Sequence, residues 1–265
     1  MLKHAAHCGS PHLRPFSATL LQSYVEEGIP VNTGPPWLRK ALDEAIYNGP
    51  HASACAPDMV SFIRGELRRR IQDGFSILLS AEDAVRLFGE QLKLSRRAAV
   101  PQAQRQPRLI LNWSAPPEKE TPSVNDTTDR EIAPESMQFR RALPRILQVI
   151  WEADPAEGPV RVSKLDVTDA YHRGTLKPSQ VGAFAYIVPS LPDDDAILIC
   201  INLLLPMGWV DSPKFFCAFS ETLTDVANAL VDADLPVPAL WPVARRLPHR
   251  PARGGRHRPK RLPRQ

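Results

Sequence analysis

The chain has 265 residues, and its 43% hydrophobic content is enough to build a buried core in one or two domains. Its 28 prolines, about twice the usual share, predict that part of the chain is loop or disordered. No apolar run reaches about 18 residues and no signal-type stretch opens the chain, so we expect neither a membrane span nor secretion. Four cysteines without metal-ligand spacing predict reduced thiols in a cytoplasmic or nuclear protein.

The positive charge is concentrated near the C-terminus. Net charge is +4, but residues 245–265 carry nine basic residues and no acid, which leaves −5 on the rest (4 − 9). This composition predicts a disordered tail suited to contacting nucleic-acid phosphates without reading sequence. An out-of-frame or junction-encoded end with no selected role is the alternative interpretation. The tail arginines proposed for nucleic-acid contact are Arg245, Arg246, Arg250, Arg253, Arg256 and Arg258.

The N-terminal half combines weakly patterned and periodic segments. Loops and short helices are expected over residues 1–57, which are rich in proline, glycine and histidine. Helical spacing of apolar residues predicts a helix over 58–72. Residues 75–79 favour a strand, and Ser80 resembles the first residue of a capping box that opens a helix to about Leu92.

The middle of the chain is predicted to hold one strand and one helix. Residues 93–106 form a basic connector, and Pro107–Trp113 is a compact strand signal. Residues 114–135 indicate a long loop. Residues 136–152 indicate a helix that Pro144 should kink or restart.

From residue 160 the pattern becomes β-rich and then helical. Residues 192–195, Pro-Asp-Asp-Asp, are typical of a hairpin tip. Ser212 and Pro213 favour a helix start, and the apolar spacing that follows predicts an amphipathic helix to about Asp234. The predicted strands are 160–168, 182–188 and 197–203.

The segment KLDVTDAYH at 164–172 carries the strongest chemical signal. It places Asp166 at the end of a predicted strand, with Tyr171 five residues later. On residue type alone, such an aspartate is usually a turn former. We expect Asp169 to cap the following turn or to shape the backbone beside a triphosphate. The segment resembles the first catalytic motif of reverse transcriptases.

Other segments resemble the same family, in the same order. LPMGWVDSP at 205–213 is similar to the motif that opens the helix beneath the templating base pair, and PRLILN at 107–112 to the family's fingers strand. Residues 184–203 match its hairpin in order and spacing, and Val124–Asn125 is also similar. Asn112 stands where many relatives have an acid. The resemblance covers roughly residues 60–235.

The resemblance implies an α+β fold: fingers and partial palm of a right-hand polymerase, with an incomplete antiparallel sheet backed by helices and disordered termini. It implies Mg²⁺ as cofactor, with template-primer and deoxynucleoside triphosphate as partners. Asp166 would be the catalytic magnesium ligand, and Val167 would lend a backbone carbonyl to the metal. The implied nucleotide-binding residues are Arg108, the triphosphate clamp; Asp169 and Ala170; Tyr171, the sugar gate; and Met207 and Gly208, which would touch the nascent base pair.

The family's paired-aspartate motif is missing downstream, where Ala239–Val243 stands near the expected position. We therefore expect a polymerase that stops before its active site is complete and has no activity of its own, because one of three carboxylates cannot hold two magnesium ions. Whether a second chain completes the site is open. The alternatives are a non-enzymatic, sequence-nonspecific nucleic-acid-binding protein that uses the tail and the fingers surface, or a small basic structural protein.

The predicted organisation has four parts. These are a loop-rich segment (1–57), a fingers-like region (58–159), a partial palm with the first catalytic motif (160–238) and a disordered basic tail (239–265).

Overall fold

The computed structural model describes residues 15–129, 142–160 and 166–232. The α-helices are α1 (Pro15–Glu27), α2 (Arg39–Asn48), α3 (Pro57–Gln72), α4 (Ala81–Phe88), α5 (Val124–Thr127), α6 (Ala142–Glu152) and α7 (Ser212–Asp232). The strands are β1 (Ser76–Ser80), β2 (Leu94–Gln102), β3 (Arg105–Asn112), β4 (Ala185–Ile187) and β5 (Leu198–Asn202). Short 3₁₀ helices span Ala52–Ala54, Gly89–Gln91, Pro155–Glu157, Ala170–Arg173 and Pro178–Phe184.

The five strands form one open sheet in the order β1-β5-β4-β2-β3. Three neighbouring pairs are antiparallel, whereas β2 and β4 run parallel, with Leu94 opposite Ala185. The fold is therefore α+β, as predicted. The expected all-antiparallel sheet is wrong at the β2–β4 pair, where two hairpins dock side by side.

Strand directions place the ends of β3 and β5 at the same edge of the sheet. Asn202 ends β5 opposite Ser76, and Asn112 ends β3 opposite Arg96. Because antiparallel neighbours reverse direction and the parallel pair does not, β1, β2 and β4 begin where β3 and β5 end. We call this border, marked by Asn112 and Asn202, the β3/β5 edge.

The sheet separates a large core from a smaller one. On one face, buried residues such as Ile187, Ile199 and Ile201 join a cluster that extends from Tyr24 to Ala218. On the other face, helix α3 covers the sheet, with Leu67 packed against Tyr186, Val188 and Cys200. The large cluster contains residues from three of the predicted parts, 1–57, 58–159 and 160–238. The boundaries between these parts stay predictions.

Several predicted elements are confirmed. The predicted helix at 58–72 is α3, and the predicted strands at 75–79, 107–113 and 197–203 are β1, β3 and β5. Ser80 caps α4 by accepting a hydrogen bond from the Asp83 N–H (3.0 Å), and Ser212 begins α7. The strands and α3 have regular apolar spacing, and the Ser80 oxygen satisfies a free helix N–H, whereas the Ser212 hydroxyl donates to Pro206 O instead of capping α7.

The predicted connector at 93–106 is wrong, because most of it is strand β2. Its inward positions include Ser95 and Arg97, both buried, so the apolar alternation that marks a strand is hidden in the sequence. Arg97 is accommodated by Tyr186, whose ring centroid lies 4.6 Å from the guanidinium carbon and whose hydroxyl accepts a hydrogen bond from it. A bulge between Val100 and Gln102 surrounds Pro101, which has no N–H to donate.

Other boundaries need correction. Residues 178–184 form a 3₁₀ helix, so the strand predicted at 182–188 shrinks to β4. The predicted loop at 114–135 contains α5, which a capping box between Ser123 and Asp126 stabilises. Two helices, α1 and α2, occupy much of the segment expected to be loops and short helices.

Other predicted features lie partly or wholly outside the described residues. Pro144 lies in α6 two residues after its first described residue, and residues 130–141 are not described. Of the strand predicted at 160–168, residues 161–165 lie outside the described part, and residues 160 and 166–168 are not strand.

The helices differ in how much apolar surface they bury. Helix α6 leaves six large apolar side chains at least 43% exposed: Leu143, Ile146, Leu147, Val149, Ile150 and Trp151. None of the helices in the described ranges combines the length and the hydropathy needed to cross a membrane. Cys55, Cys200 and Cys217 are free thiols, and Cys8 lies outside the described residues.

Lys93 generates the first testable prediction. Its side chain is 2% exposed, donates to Thr33 O (2.6 Å), and lies 3.5 Å from Thr127 Oγ1. Burial lowers the pKa of Lys93 to about 8. Because the unfolded chain holds this proton up to a pKa of about 10.4, unfolding free energy should rise with pH above about 8, by about 1–2 kcal/mol between pH 7.5 and 9.5. Urea unfolding measures this gain.

Lys93→Met is the matched control, because methionine keeps the apolar stem and cannot titrate. Stability of this variant should be nearly independent of pH over the same interval. An equal rise with pH in wild type and variant would contradict the role of Lys93.

Candidate functional site

Two turns that the sequence predicts to be functional, residues 168–173 and 207–208, flank the same short backbone pairing. Both lie at the same end of it. Thr175 forms an isolated antiparallel bridge with Leu204. Flanking hydrogen bonds run from Leu205 N–H to Gly174 O (2.8 Å) and from Leu176 N–H to Leu203 O (2.9 Å). In an antiparallel pair, the residues before one strand and after the other lie at the same end. The stretch before Gly174 and the stretch after Leu205 therefore emerge together, beside the β3/β5 edge.

The first turn, residues 168–173, contains the 3₁₀ helix Ala170–Arg173. Asp169 precedes this helix in a left-handed conformation (φ 52°) and makes no side-chain capping hydrogen bond. The predicted cap is therefore wrong at the level of the side chain, whereas a special backbone shape at Asp169 is found. The Tyr171 ring packs edge-on against Phe216 of α7, with centroids 5.4 Å apart. Burial raises the pKa of the Tyr171 hydroxyl, so the phenol stays protonated.

The second turn, Met207–Gly208, lies against the end of β3. Trp113 Nε1 donates a hydrogen bond to Met207 O (3.0 Å), and Asn125 Nδ2 donates to Gly208 O (3.1 Å). Gly208 has φ +90°, and an added Cβ would lie 3.4 Å from Leu111 O and from the Trp113 ring. Glycine thus lets the turn adopt this φ and approach β3 closely. Met207 stays 63% exposed, so the surface of this turn faces solvent.

Arg108 lies on the strand that holds the second turn. It is exposed and sits opposite Val100 in the hairpin. Leu111, which contacts Gly208, is three residues farther along β3, about 10 Å away at the usual strand rise. An arginine side chain spans much of that distance. Because successive strand side chains alternate between faces, Arg108 projects from the face of β3 opposite to Leu111, and a ligand shared with Met207–Gly208 stays a prediction.

The predicted site residues fall into three groups. Met207 and Gly208 lie at the end of β3, and Arg108 lies on the same strand four residues before that end. Asp169, Ala170 and Tyr171 form the first turn, which contacts α3 and α7 near the end of β5. Asp166 and Val167 are exposed and lie outside regular secondary structure. The tail arginines, from Arg245 onward, lie outside the described residues.

The magnesium site that the resemblance implies stays a prediction. In the described ranges, no three His, Cys, Asp or Glu side chains gather in a way that could hold a metal ion. Asp169 directs a carboxylate oxygen to His172 Nδ1 (3.5 Å). Asp166 then remains the single carboxylate of its motif, and one carboxylate is too few for two divalent ions. We therefore derive no metal-dependent step from these residues.

Sequence reasoning missed three residues that position the turns. Asn125 was noted only as part of a similar segment, and its side-chain amide joins α5 to the second turn. His172 and Arg70 join the first turn to α3 through a contact of 3.3 Å between His172 Nε2 and Arg70 Nη1. His172 could have been found from the sequence, because it is a polar side chain within the DAYH motif. For Arg70, within a run of three arginines, the sequence carries no such signal.

Comparisons with known proteins add no family assignment. Neither the protein-family models nor the curated proteins contain a match to this chain. The resemblance to reverse transcriptases rests on the motifs quoted above.

Asn125 provides a direct test of the second turn. Its amide also accepts a hydrogen bond from Val210 N–H (3.0 Å). Asn125→Ala should lower the unfolding free energy by about 1 kcal/mol, because the partly buried Val210 N–H loses its acceptor, whereas the contacts to Gly208 O and Ser114 Oγ are exposed. Urea unfolding measures this loss, and hydrogen exchange of the Val210 amide should become faster.

Asn125→Asp is the matched variant, because it keeps an acceptor for Val210 N–H and loses the donor to Gly208 O. It should preserve Val210 protection better than alanine does. Equal protection of Val210 in both variants and in wild type would show that Asn125 does not hold the turn.

Proposed function

We propose that this chain represents the fingers and part of the palm of a retroelement reverse transcriptase, which contacts nucleotides but does not polymerise by itself. One observation supports this best. Asn125, from one segment that resembles the family, and Trp113, the residue directly after another, hydrogen-bond to Gly208 O and Met207 O in a third. These partners are 83 and 94 positions apart in sequence. Segments chosen for resemblance alone therefore meet at one edge of the sheet.

The nucleotide-contacting role follows from charge and exposure at that edge. The Arg108 guanidinium is an exposed cation that matches phosphate oxygens in geometry. Met207 has an exposed apolar side chain, and Gly208 allows a close approach to the backbone. Both features suit contact with a nascent base pair. Tyr171 stands at the first turn, where the resemblance assigns discrimination against the ribose 2′-hydroxyl. No proton-transfer step is assigned to any of these groups.

The absence of polymerase activity follows from the carboxylate count. Phosphoryl transfer by this family needs two magnesium ions that bridge the attacking and leaving oxygens, and a single aspartate cannot hold both. Primer extension with Mg²⁺ should therefore yield no incorporation. Incorporation by the wild-type chain that Asp166→Asn abolishes would contradict the prediction and reveal a complete site.

Arg108 allows a test of nucleotide contact that does not depend on catalysis. Arg108→Ala should weaken binding of fluorescently labelled dATP about tenfold, because a charge-assisted hydrogen bond to phosphate is lost. Fluorescence anisotropy measures the dissociation constant. Arg105→Ala is the control, since it removes the same charge from an exposed residue of the same strand. Equal losses in both variants would indicate general charge attraction, and no loss in either would overturn the assignment of Arg108.

The second candidate is a sequence-nonspecific nucleic-acid-binding protein, favoured by the nine basic residues in 245–265. Affinity for single-stranded RNA should fall steeply with salt, with a log–log slope up to about −6 if all nine neutralise phosphates. Deleting residues 245–265 should remove most of that affinity and flatten the slope. Unchanged binding after the deletion would reject this candidate.

A further inference from the structure

Helix α3 and the first turn meet through polar side chains that the proposed nucleotide contacts do not use. Arg70 Nη1 lies 3.3 Å from His172 Nε2, and Arg70 Nη2 donates to Asn202 Oδ1 at 2.9 Å. A guanidinium only donates hydrogen bonds, so His172 Nε2 must accept. His172 is therefore neutral in this arrangement, with its proton on Nδ1.

The opposite ring nitrogen faces the strained residue of the turn. His172 Nδ1 lies 3.5 Å from Asp169 Oδ1, and the ring packs on Phe75 with centroids 5.4 Å apart. Asp169 is the one non-glycine residue with positive φ in the described ranges. A left-handed conformation at such a residue costs free energy and persists only where its surroundings hold it.

We propose that His172 is a positioning residue, whose neutral ring accepts a hydrogen bond from Arg70 and thereby holds the Asp169–Tyr171 turn at the end of β5. The anchor is rigid, because Arg70 also bonds to the buried side chain of Asn202, and Asn202 lies opposite Ser76 in the sheet. The proposal rests on the proposed function only in that this turn carries three of the suggested nucleotide-binding residues.

Protonation of His172 should release the turn. Protonation puts an N–H on Nε2 facing the Arg70 donors and adds a third cation beside Arg69 and Arg70, while Asp169 is the acid that faces the ring. Phe75, just before β1, packs on the ring without charge. Burial, reinforced by Arg70, lowers the pKa of His172 below its usual 6.5, against the smaller opposing effect of Asp169. The unfolded state thus binds the proton more readily, and this anchor should weaken as pH falls below about 6.5.

Nuclear magnetic resonance of the full chain tests the proposal without nucleotide. Long-range ¹H–¹⁵N spectra of the wild type at neutral pH should show protonated Nδ1 and unprotonated Nε2 for His172. The Asp169 and Tyr171 amide signals should shift on acidification with the midpoint of His172. The opposite tautomer, or amides that do not follow His172, would overturn the proposal.

We predict opposite changes in the pKa of His172 for two variants. Arg70→Met should raise the pKa of His172 towards about 6.5, because a neighbouring cation is lost, and Asp169→Asn should lower it. His172→Gln should keep an acceptor for Arg70 and make the Asp169 and Tyr171 amides insensitive to pH. An unchanged or lower pKa in Arg70→Met would contradict the arrangement. Failure of labelled dATP to bind would count against the proposed function and leave this result standing.

Discussion

Two backbone hydrogen bonds, from Leu205 N–H to Gly174 O and from Leu176 N–H to Leu203 O, determine where the candidate site forms. They join the stretch after the DAYH motif to the stretch that leads into LPMGW. Neither turn is long enough to find the other through its own side chains. Since Leu203–Leu205 directly continue β5, the pairing fixes the first turn to the sheet itself.

A third segment secures this pairing from its other side. Ile29 N–H donates to Thr175 O (2.8 Å), and Lys177 N–H donates to Ile29 O (2.9 Å). The approach is close, because a Cβ on Gly28 would lie 2.7 Å from the Lys177 backbone, and one on Gly174 would lie 2.6 Å from Ile29 Cδ1. Glycine at these two positions lets three backbone segments lie in contact. The N-terminal helix α1 continues the contact by packing on α7, where Tyr24 meets Phe215 edge-on at 5.7 Å.

The sequence predicted the elements that carry local signals and failed where tertiary contacts decide. Helix α3 and strand β5 have regular apolar spacing, and α7 begins at a Ser-Pro pair, so their positions could be predicted. Strand β2 was missed because Arg97 points into the protein, where Tyr186 on the neighbouring strand β4, 89 positions away in sequence, makes that burial tolerable. No local sequence signal predicts the parallel β2–β4 contact, which joins two hairpins.

In the candidate site, too, some residues could be predicted from local sequence signals and others could not. The exposed Met207 and the glycine beside it could be chosen from the motif, since a special backbone and an accessible surface are encoded locally. The side chains that fix the two turns, Asn125 and Arg70, could not, because their partners lie 83 or more positions away. A motif identifies groups that face a ligand, whereas the contacts that orient them are read only from the fold.

The pairing of Thr175 with Leu204 is the most direct point at which to test this account. These residues form the non-hydrogen-bonded kind of antiparallel pair, in which Cα atoms are about 4.5 Å apart and the Hα atoms face each other. The account predicts a strong nuclear Overhauser effect between the Thr175 and Leu204 Hα protons, together with slow exchange of the Leu176 and Leu205 amides. Absence of that cross-peak, with rapid exchange of both amides, would contradict the convergence of the two turns.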